Sequence, residues 1–196
     1  MNPAIFDAFE EICRRRGAGG HVLEVGAVPS DDALLCLPCL SGAVSRVGVN
    51  QEPACRHGDF EILQADANDL ARFPDATFDT VLCNSTLEHD PFFWRALAEM
   101  RRVARPGALL VIGVPGYTRR TATPRLRRLA GRLPWVRSRL APWRAGTETL
   151  GVHEMPGDYY RFSLQAVREV FFEGCADVEV NELLVPPRLV GAGRVR

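Results

Sequence analysis

The chain contains no lysine, so arginine supplies all 24 of its Lys and Arg positions. The same number of acidic residues balances these arginines, and the formal net charge is zero. No overall electric field therefore favours binding to nucleic acid or to a membrane surface. A cluster of arginines is also weak evidence for a binding site, because this chain uses no other long cationic side chain.

Long apolar runs are also missing from the sequence. The longest, residues 108–115, is far below the ~18 apolar residues that a membrane-spanning helix needs. The first residues mix acids with apolar side chains and carry their basic run last, which is unlike a secretory signal. We therefore expect a cytoplasmic protein, and a length of 196 residues predicts a single domain over residues 1–196.

A zinc-binding pattern is absent as well. Cys36 and Cys39 form a C-x-x-C, but no second C-x-x-C or spaced pair of histidines completes a tetrahedral site. We interpret the two cysteines as small apolar side chains buried on a helix, with a redox role as the alternative. No metal site is predicted.

What the sequence does contain is an alternation of short apolar runs with helical patterns. Strands are predicted at residues 21–25, 44–49, 60–63, 78–83, 108–114, 177–185 and 187–195. Helices are predicted at residues 3–16, from Ser30, from Pro91 to about 104, and from a Ser163 cap to about 172. The runs are continuous rather than alternating, as in a parallel sheet covered on both faces. The pattern predicts a doubly wound α/β fold that ends in an antiparallel hairpin.

An insert at residues 115–150 interrupts this rhythm. Residues 117–144 hold nine arginines and no acid, and they also contain Trp135 and Trp143. One interpretation is a lid whose arginines meet an anionic acceptor. A second is a basic helix that contacts a membrane surface or a partner through the two tryptophans. A third, at least as well supported, is a solvated helical pair with its apolar stripe on the domain.

Four stretches, in sequence order, resemble the class I S-adenosylmethionine-dependent methyltransferases. They are Val22-Leu23-Glu24-Val25-Gly26, then Gly48-Val49-Asn50, then Gln64-Ala65-Asp66-Ala67, and a run from Phe78 to Ser85 that continues through Leu87-Glu88-His89 to Val103-Ala104-Arg105-Pro106-Gly107-Ala108. Residues 153–162 resemble a segment of small bacterial members. The resemblance implies a seven-stranded Rossmann-like sheet of order 3-2-1-4-5-7-6 with the seventh strand antiparallel. It also implies S-adenosyl-L-methionine as the cofactor.

The resemblance assigns cofactor contacts to the ends of the strands. It implies that Glu24 holds the cofactor's amino group, and that Gly26 lets the backbone approach the methionine part. Asn50, with the adjoining Gln51, falls at the ribose position, and Asp66 with Ala67 falls at the adenine position. Turn or strand-end roles are the alternatives for Asn50 and for the residues after Asp66.

The glycine-rich loop departs from the family pattern. Where the family has G-x-G-x-G, this chain reads Gly26-Ala27-Val28-Pro29-Ser30. The side chain of Val28 narrows the space for close approach, and the freedom of glycine to adopt positive φ is lost there. Two interpretations of this change stay open. In one, cofactor binding is altered; in the other, a rearranged loop still binds the cofactor.

The candidates for chemistry follow the fourth predicted strand and the insert. Asn84 and Ser85 would lie beside the methyl group that is transferred. His89 and His153 are candidate bases, which are needed if the acceptor carries a proton. The acceptor-binding candidates after or beside the insert are Tyr117, Asp158, Tyr159 and Arg161, and the last three have a structural turn as their alternative.

The predicted function is methyl transfer to an O, N or C nucleophile of a small-molecule acceptor. The alternative is a non-catalytic binding or regulatory subunit with weakened or lost cofactor binding. A nicotinamide-dependent oxidoreductase is disfavoured, because Val28, Asp31 and Asn50 occupy the places of its glycines and acid. The tetrapeptide Asn84-Ser85-Thr86-Leu87 argues against a methyltransferase of nucleic-acid amino groups, and no nucleic-acid partner is expected.

Overall fold

The computed structural model describes residues 1–119, 147–151 and 157–196. Its main sheet has eight strands, which are His21–Val25 (β1), Ser45–Asn50 (β2), Cys55–His57 (β3), Phe60–Gln64 (β4), Phe78–Asn84 (β5), Ala104–Pro115 (β6), Cys175–Leu183 (β9) and Arg188–Val195 (β10). Two further strands, Tyr117–Arg119 (β7) and Thr147–Thr149 (β8), form a separate antiparallel pair at the two ends of the insert.

The strand order is β3-β4-β2-β1-β5-β6-β10-β9. Strands β4, β2, β1, β5 and β6 run parallel to their neighbours, and β10 is antiparallel to both β6 and β9. Without β3, this is the predicted order 3-2-1-4-5-7-6 with its antiparallel seventh strand. The α/β class is therefore confirmed.

The count of seven strands was wrong, because β3 adds an eighth at the edge. Cys55–His57 pairs antiparallel with β4 through a tight turn in which Gly58 has φ 56°. Such a turn returns the chain directly onto Phe60, so three residues suffice to form the strand. The same segment is mostly exposed, and it therefore lacks the apolar pattern that announces a strand.

The helices Pro3–Arg16 (α1) and Phe93–Val103 (α2) cover opposite faces of the sheet, and a short helix, Leu164–Ala166 (α3), precedes β9. Neighbouring residues of one strand, such as Leu109 and Leu110, belong to opposite hydrophobic clusters. The cluster around Leu109 includes the buried stripe of α1, and the cluster around Leu110 includes that of α2. Burial on both faces explains why the strands read as continuous apolar runs.

Helix α1 matches the helix predicted at residues 3–16, and both of its ends are capped. The Asn2 side chain accepts a hydrogen bond from the Ala4 backbone, and Pro3 occupies the first helical position. Gly17 ends the helix in the left-handed conformation with φ 67°. The Ser163 cap is also confirmed, because its side chain accepts from the Ala166 backbone, and α3 continues as the π-helical turn Val167–Phe171.

The helix predicted from Ser30 was wrong. Residues 26–44 contain two short 3₁₀ turns instead, Leu34–Cys36 and Pro38–Leu40. Ala33 and Leu37 have extended backbones with ψ 148° and 129°, and a residue that precedes proline, as Leu37 does, is biased to that conformation. Cys36 and Cys39 therefore lie on these turns rather than on a helix, and both pack against the α1-side cluster.

Residues 120–146 of the arginine-rich insert lie outside the described residues, as do both of its tryptophans. Its interpretations as a lid, an interfacial helix or a solvated pair therefore stay predictions. Within the described part of the chain, no helix combines the length and the apolar character that crossing a membrane requires.

Candidate cofactor and acceptor site

The parallel strands end together at one edge of the sheet. Residue pairs Val25 with Val49, Val25 with Cys83, and Asn50 with Gln64 set the ends of β1, β2, β5 and β4 at nearly the same level. The predicted cofactor residues lie at these ends or just after them. Ligands of open α/β sheets bind at this edge, which is called the crevice below, so the structure brings the candidates to one edge.

Gly26 turns the chain sharply at the end of β1. Its backbone N–H donates to the Val49 carbonyl at 2.9 Å, and its φ is 83°. A side chain at this position would overlap the Thr86 hydroxyl. Glycine is therefore required here by the backbone conformation and by the close approach of the segment that follows β5.

Glu24 faces the loop that follows β1. One carboxylate oxygen accepts from the Leu34 backbone N–H at 3.2 Å, and the other accepts from the Leu35 N–H at 3.0 Å. Burial raises the pKa of Glu24 to about 7, and the two hydrogen bonds oppose that rise. The carboxylate thus holds the first 3₁₀ turn, and its contact with the cofactor's amino group stays a prediction.

Asn50 ties β2 to the altered glycine loop. Its side-chain amide donates to the Ala27 carbonyl at 2.6 Å, and its side-chain oxygen is 3.4 Å from the Glu52 backbone N–H. The neighbouring Gln51 is exposed, and its backbone carbonyl accepts from the Gln64 side chain at 3.0 Å. Asn50 thereby holds the altered glycine loop at Ala27, and the ribose contact stays a prediction.

Asp66 stands exposed after β4, and Ala67 beside it is half-buried. One carboxylate oxygen of Asp66 accepts from the Asn68 backbone N–H at 2.9 Å, as in an Asx turn. The Asn68 side chain in turn donates to Asp90 at 2.8 Å. Asp66 thus accepts the hydrogen bond of a local turn and also presents a carboxylate at the edge of the sheet, and its contact with adenine stays a prediction.

Arg188 reaches the end of β5 from the closing hairpin. Its guanidinium donates through Nη2 to the Asn84 side-chain oxygen at 3.1 Å and to the Ser85 hydroxyl. Gly113 on β6 leaves room for this contact, because a side chain there would overlap the Asn84 oxygen. The sequence did not single out Arg188, although its place directly after Pro186-Pro187 marks the start of an antiparallel strand and hence this edge.

Glu88 is fully buried beneath the same contact. Among the described residues, neither carboxylate oxygen of Glu88 has a hydrogen-bond partner. The nearest cation is Arg188, whose Nη1 lies 3.7 Å from Oε1. Burial raises the pKa of Glu88 and lowers the pKa of Arg188, and their mutual attraction opposes both changes.

His89 joins the turn Leu87–His89 to residues 157–160. Its Nδ1 contacts the Gly157 carbonyl, and its Nε2 lies 4.0 Å from Glu88. The Tyr159 backbone N–H donates to the Glu88 carbonyl at 2.8 Å, which reinforces this junction. The His89 ring therefore has a structural task, and its role as a base stays a prediction. His153 lies outside the described residues.

The acceptor candidates divide into a paired set and an open set. Asp158 and Arg161 form a two-pronged ion pair, with side chains that are 1% and 13% exposed. Tyr117 and Tyr159 are 44% and 56% exposed. The two tyrosines thus have exposed rings, and their contact with an acceptor stays a prediction, whereas the ion pair shapes the segment between the insert and α3.

Residues 40–112 match the methyltransferase domain family. An uncharacterized methyltransferase of Mycobacterium avium is 31% identical over 102 residues, which are 48% of this chain and 39% of that protein. A phosphatidylethanolamine N-methyltransferase of Cereibacter sphaeroides is 35% identical over 125 residues, which are 55% of this chain and 59% of that protein. The chain therefore matches less than two thirds of the length of these relatives.

The same fold is found in a solved structure of the 1,6-didemethyltoxoflavin-N1-methyltransferase of Burkholderia thailandensis, which contains S-adenosylhomocysteine. The TM-score is 0.65 at 16% identity, and the alignment covers 99% of this chain and 79% of that one. The matched domain, the strand order and the grouping of the motif residues at one edge lead to one family. The findings support a class I S-adenosylmethionine-dependent methyltransferase domain with S-adenosyl-L-methionine as its cofactor.

Proposed function

We propose that the protein transfers a methyl group from S-adenosyl-L-methionine to an O, N or C nucleophile of a small molecule. The observation that carries this proposal is the meeting of Gly26, Asn50, Asp66 and Ser85 at the carboxyl ends of four adjacent strands. The relatives support the small-molecule class, because a phosphatidylethanolamine and a didemethyltoxoflavin methyltransferase are among them.

The groups at this edge fit the nucleoside part of the cofactor. Asp66 offers an exposed carboxylate that suits an exocyclic amine, and the Ala67 backbone beside it suits a ring nitrogen. Asn50 offers an amide at the ribose position; one amide oxygen accepts less strongly than a carboxylate. Glu24 is the exception, since both of its oxygens already accept from Leu34 and Leu35.

When bound, the cofactor supplies a methyl group on a sulfonium that already carries its leaving group. The protein's contribution is then mainly to hold the two reactants in line and to exclude water. Asn84 and Ser85 border the reacting centre at the end of β5, and Tyr117 and Tyr159 flank the acceptor. His89 serves as a base for acceptors that carry a proton on the nucleophile.

Calorimetric titration with S-adenosylmethionine and S-adenosylhomocysteine tests the proposal. We expect micromolar binding that is lost in Asp66→Ala, because the carboxylate accepts from the adenine amine. Asp69→Ala is the matched control: Asp69 is an exposed acid three residues away, and its carboxylate accepts from the Ala71 backbone. Equal losses in both variants would contradict the role of Asp66, and no binding to the wild type up to millimolar concentration would contradict the function.

A non-catalytic binding subunit is the second candidate. It is favoured by the engagement of Glu24 with the loop backbone and by the bond from Asn50 to the Ala27 carbonyl, which both occupy groups assigned to the cofactor. Under this function the wild type binds both cofactor forms weakly or not at all. This function would be refuted if the protein bound S-adenosylmethionine and formed S-adenosylhomocysteine in the presence of an amine, hydroxyl or carbon acceptor.

A further inference from the structure

Arg188 occupies a special place in the sheet. It is the first residue of β10, and its pairing with Pro115 sets it beside the last residue of β6. Because β10 is antiparallel, its first residue lies at the carboxyl edge of the parallel strands, where the crevice is. The side chain is 11% exposed, so it sits within this edge rather than on the outer surface.

Two residues of the crevice hold the guanidinium in front. Asn84 and Ser85 both accept from its Nη2. Ser85 has φ 54°, a left-handed conformation that residues other than glycine adopt rarely and often at functional sites. This conformation turns the end of β5 so that its polar side chains meet the arginine.

One residue holds the guanidinium from behind. The Glu88 carboxylate is fully buried and lies 3.7 Å from Nη1 of Arg188. A buried carboxylate without hydrogen bonds is costly, and a nearby cation offsets that cost. Glu88 and Arg188 therefore favour each other's presence, and the arginine is kept at the edge of the crevice.

The chemistry of the guanidinium identifies the ligand group. It carries five N–H donors in a planar fork, and the bonds to Asn84 and Ser85 both come from Nη2. The N–H groups on Nε and Nη1 are not used by these two bonds, and the charge-assisted hydrogen bonds that they can donate favour an anionic acceptor such as a carboxylate. A ligand in this crevice has two sources of such a group, the methionine end of the cofactor and the acceptor.

We propose that Arg188 binds a carboxylate of a ligand in the crevice, and that Glu88 is the positioning residue that holds Arg188 there. This inference rests on the proposed function, because it assigns the ligand to the same crevice. Arg188 then adds a charged contact from the closing hairpin to a site whose other groups come from β1, β2, β4 and β5.

The first arm of the test asks whether the carboxylate is that of the cofactor. S-adenosylhomocysteine and its decarboxylated analogue are titrated into the wild type, Arg188→Gln and Arg194→Gln. Arg194 is the matched control on the same strand, where it donates to the Gly107 and Arg16 carbonyls. We expect the wild type and Arg194→Gln to prefer S-adenosylhomocysteine by about ten- to a hundredfold, and Arg188→Gln to lose that preference.

The second arm asks whether the carboxylate is that of the acceptor. The protein saturated with S-adenosylhomocysteine is titrated with sodium acetate at constant ionic strength, and backbone amide shifts are followed by NMR. An acceptor source predicts saturable shifts in the wild type and in Arg194→Gln that vanish in Arg188→Gln. Should the wild type bind no S-adenosylhomocysteine, the proposed function fails, and acetate is titrated into the protein alone to test Arg188 separately.

Glu88→Gln tests the positioning role. We expect it to weaken the preference for the carboxylate-bearing ligand while the affinity for the decarboxylated analogue stays unchanged, a pattern that general destabilisation would not produce. If Arg188→Gln does not fold, Arg188→Lys replaces it, because it keeps the charge and removes the additional N–H donors of the guanidinium, and a reduced preference is expected. The proposal would be overturned if Arg188→Gln kept the full preference for S-adenosylhomocysteine in the first arm and also kept the wild-type acetate shifts in the second.

Discussion

Replacement of Glu24 by glutamine is expected to change how the stability of the protein depends on pH. Burial raises the pKa of this carboxyl from 4.5 to about 7, so the folded chain binds its proton more tightly than the unfolded chain does. The contribution of Glu24 to stability is therefore fully present below pH 4.5, and it is lost as the pH rises through 7.

The size of the effect follows from the two pKa values. Each pH unit between them is worth about 1.4 kcal/mol. The wild type should thus lose about 3 kcal/mol of unfolding free energy through this one group between pH 4.5 and pH 7. Glu24→Gln removes the titrating group. The unfolding free energy of the wild type, measured relative to that of Glu24→Gln, should therefore fall by that amount between pH 4.5 and pH 7.

Urea unfolding of both proteins, followed by circular dichroism at a series of pH values, measures this difference, in which all other titrating groups cancel. Glu99→Gln is a control of opposite sign: the hydrogen bond from Arg102 lowers the pKa of Glu99, so its contribution is lost as the pH falls. Parallel stability curves for the wild type and Glu24→Gln from pH 5 to pH 8 would refute the reasoning.

Two further substitutions test the packing around the site and beneath α2. Gly26→Ala should destabilise the fold by about 1–3 kcal/mol more than Gly107→Ala. Both glycines have φ 83°, but only a side chain at position 26 would overlap a neighbour, the Thr86 hydroxyl. Equal unfolding free energies of the two variants in urea would contradict this. Arg102→Met should cost about 2 kcal/mol or more, because its guanidinium bonds to two carboxylates and two backbone carbonyls. Arg101→Met, which removes one bond to the Phe171 carbonyl, is its control, and thermal unfolding that ranks the two variants in reverse would argue against the network.

The strands could be predicted because their signals are local and repeated, whereas the order of the strands was implied by the family resemblance. Each parallel strand is buried on both faces, which leaves a continuous apolar run, and Gly17 and Ser163 mark helix ends through their own backbone and side-chain chemistry. The motif residues then follow from the strand ends. Strand β3 was not predicted, because its three mostly exposed residues form no apolar run.

The first loop and the arginine of the crevice could not be predicted for the opposite reason. Asp31 and Asp32 are favourable at a helix start, but the Leu34 and Leu35 N–H groups bond to a carboxylate ten and eleven residues earlier in the chain. Arg188 meets Asn84 across 104 positions of sequence, and that contact depends on the order in which the strands pair. Neither partner is visible in a local window.

Because β10 starts at Arg188, the paired backbone of β6 and β10, here called the seam, reports whether the arginine is in the crevice. The closing hairpin pairs with β6 along Leu109–Pro115 through seven register positions, and Arg188 lies at the end of that ladder beside Pro115. A local opening that separates β10 from β6 at this end would expose backbone amides and at the same time withdraw the guanidinium from Asn84 and Ser85. Hydrogen exchange of amides at this end of the seam therefore measures how often the crevice loses its arginine, and a ligand that binds Arg188 should slow that exchange.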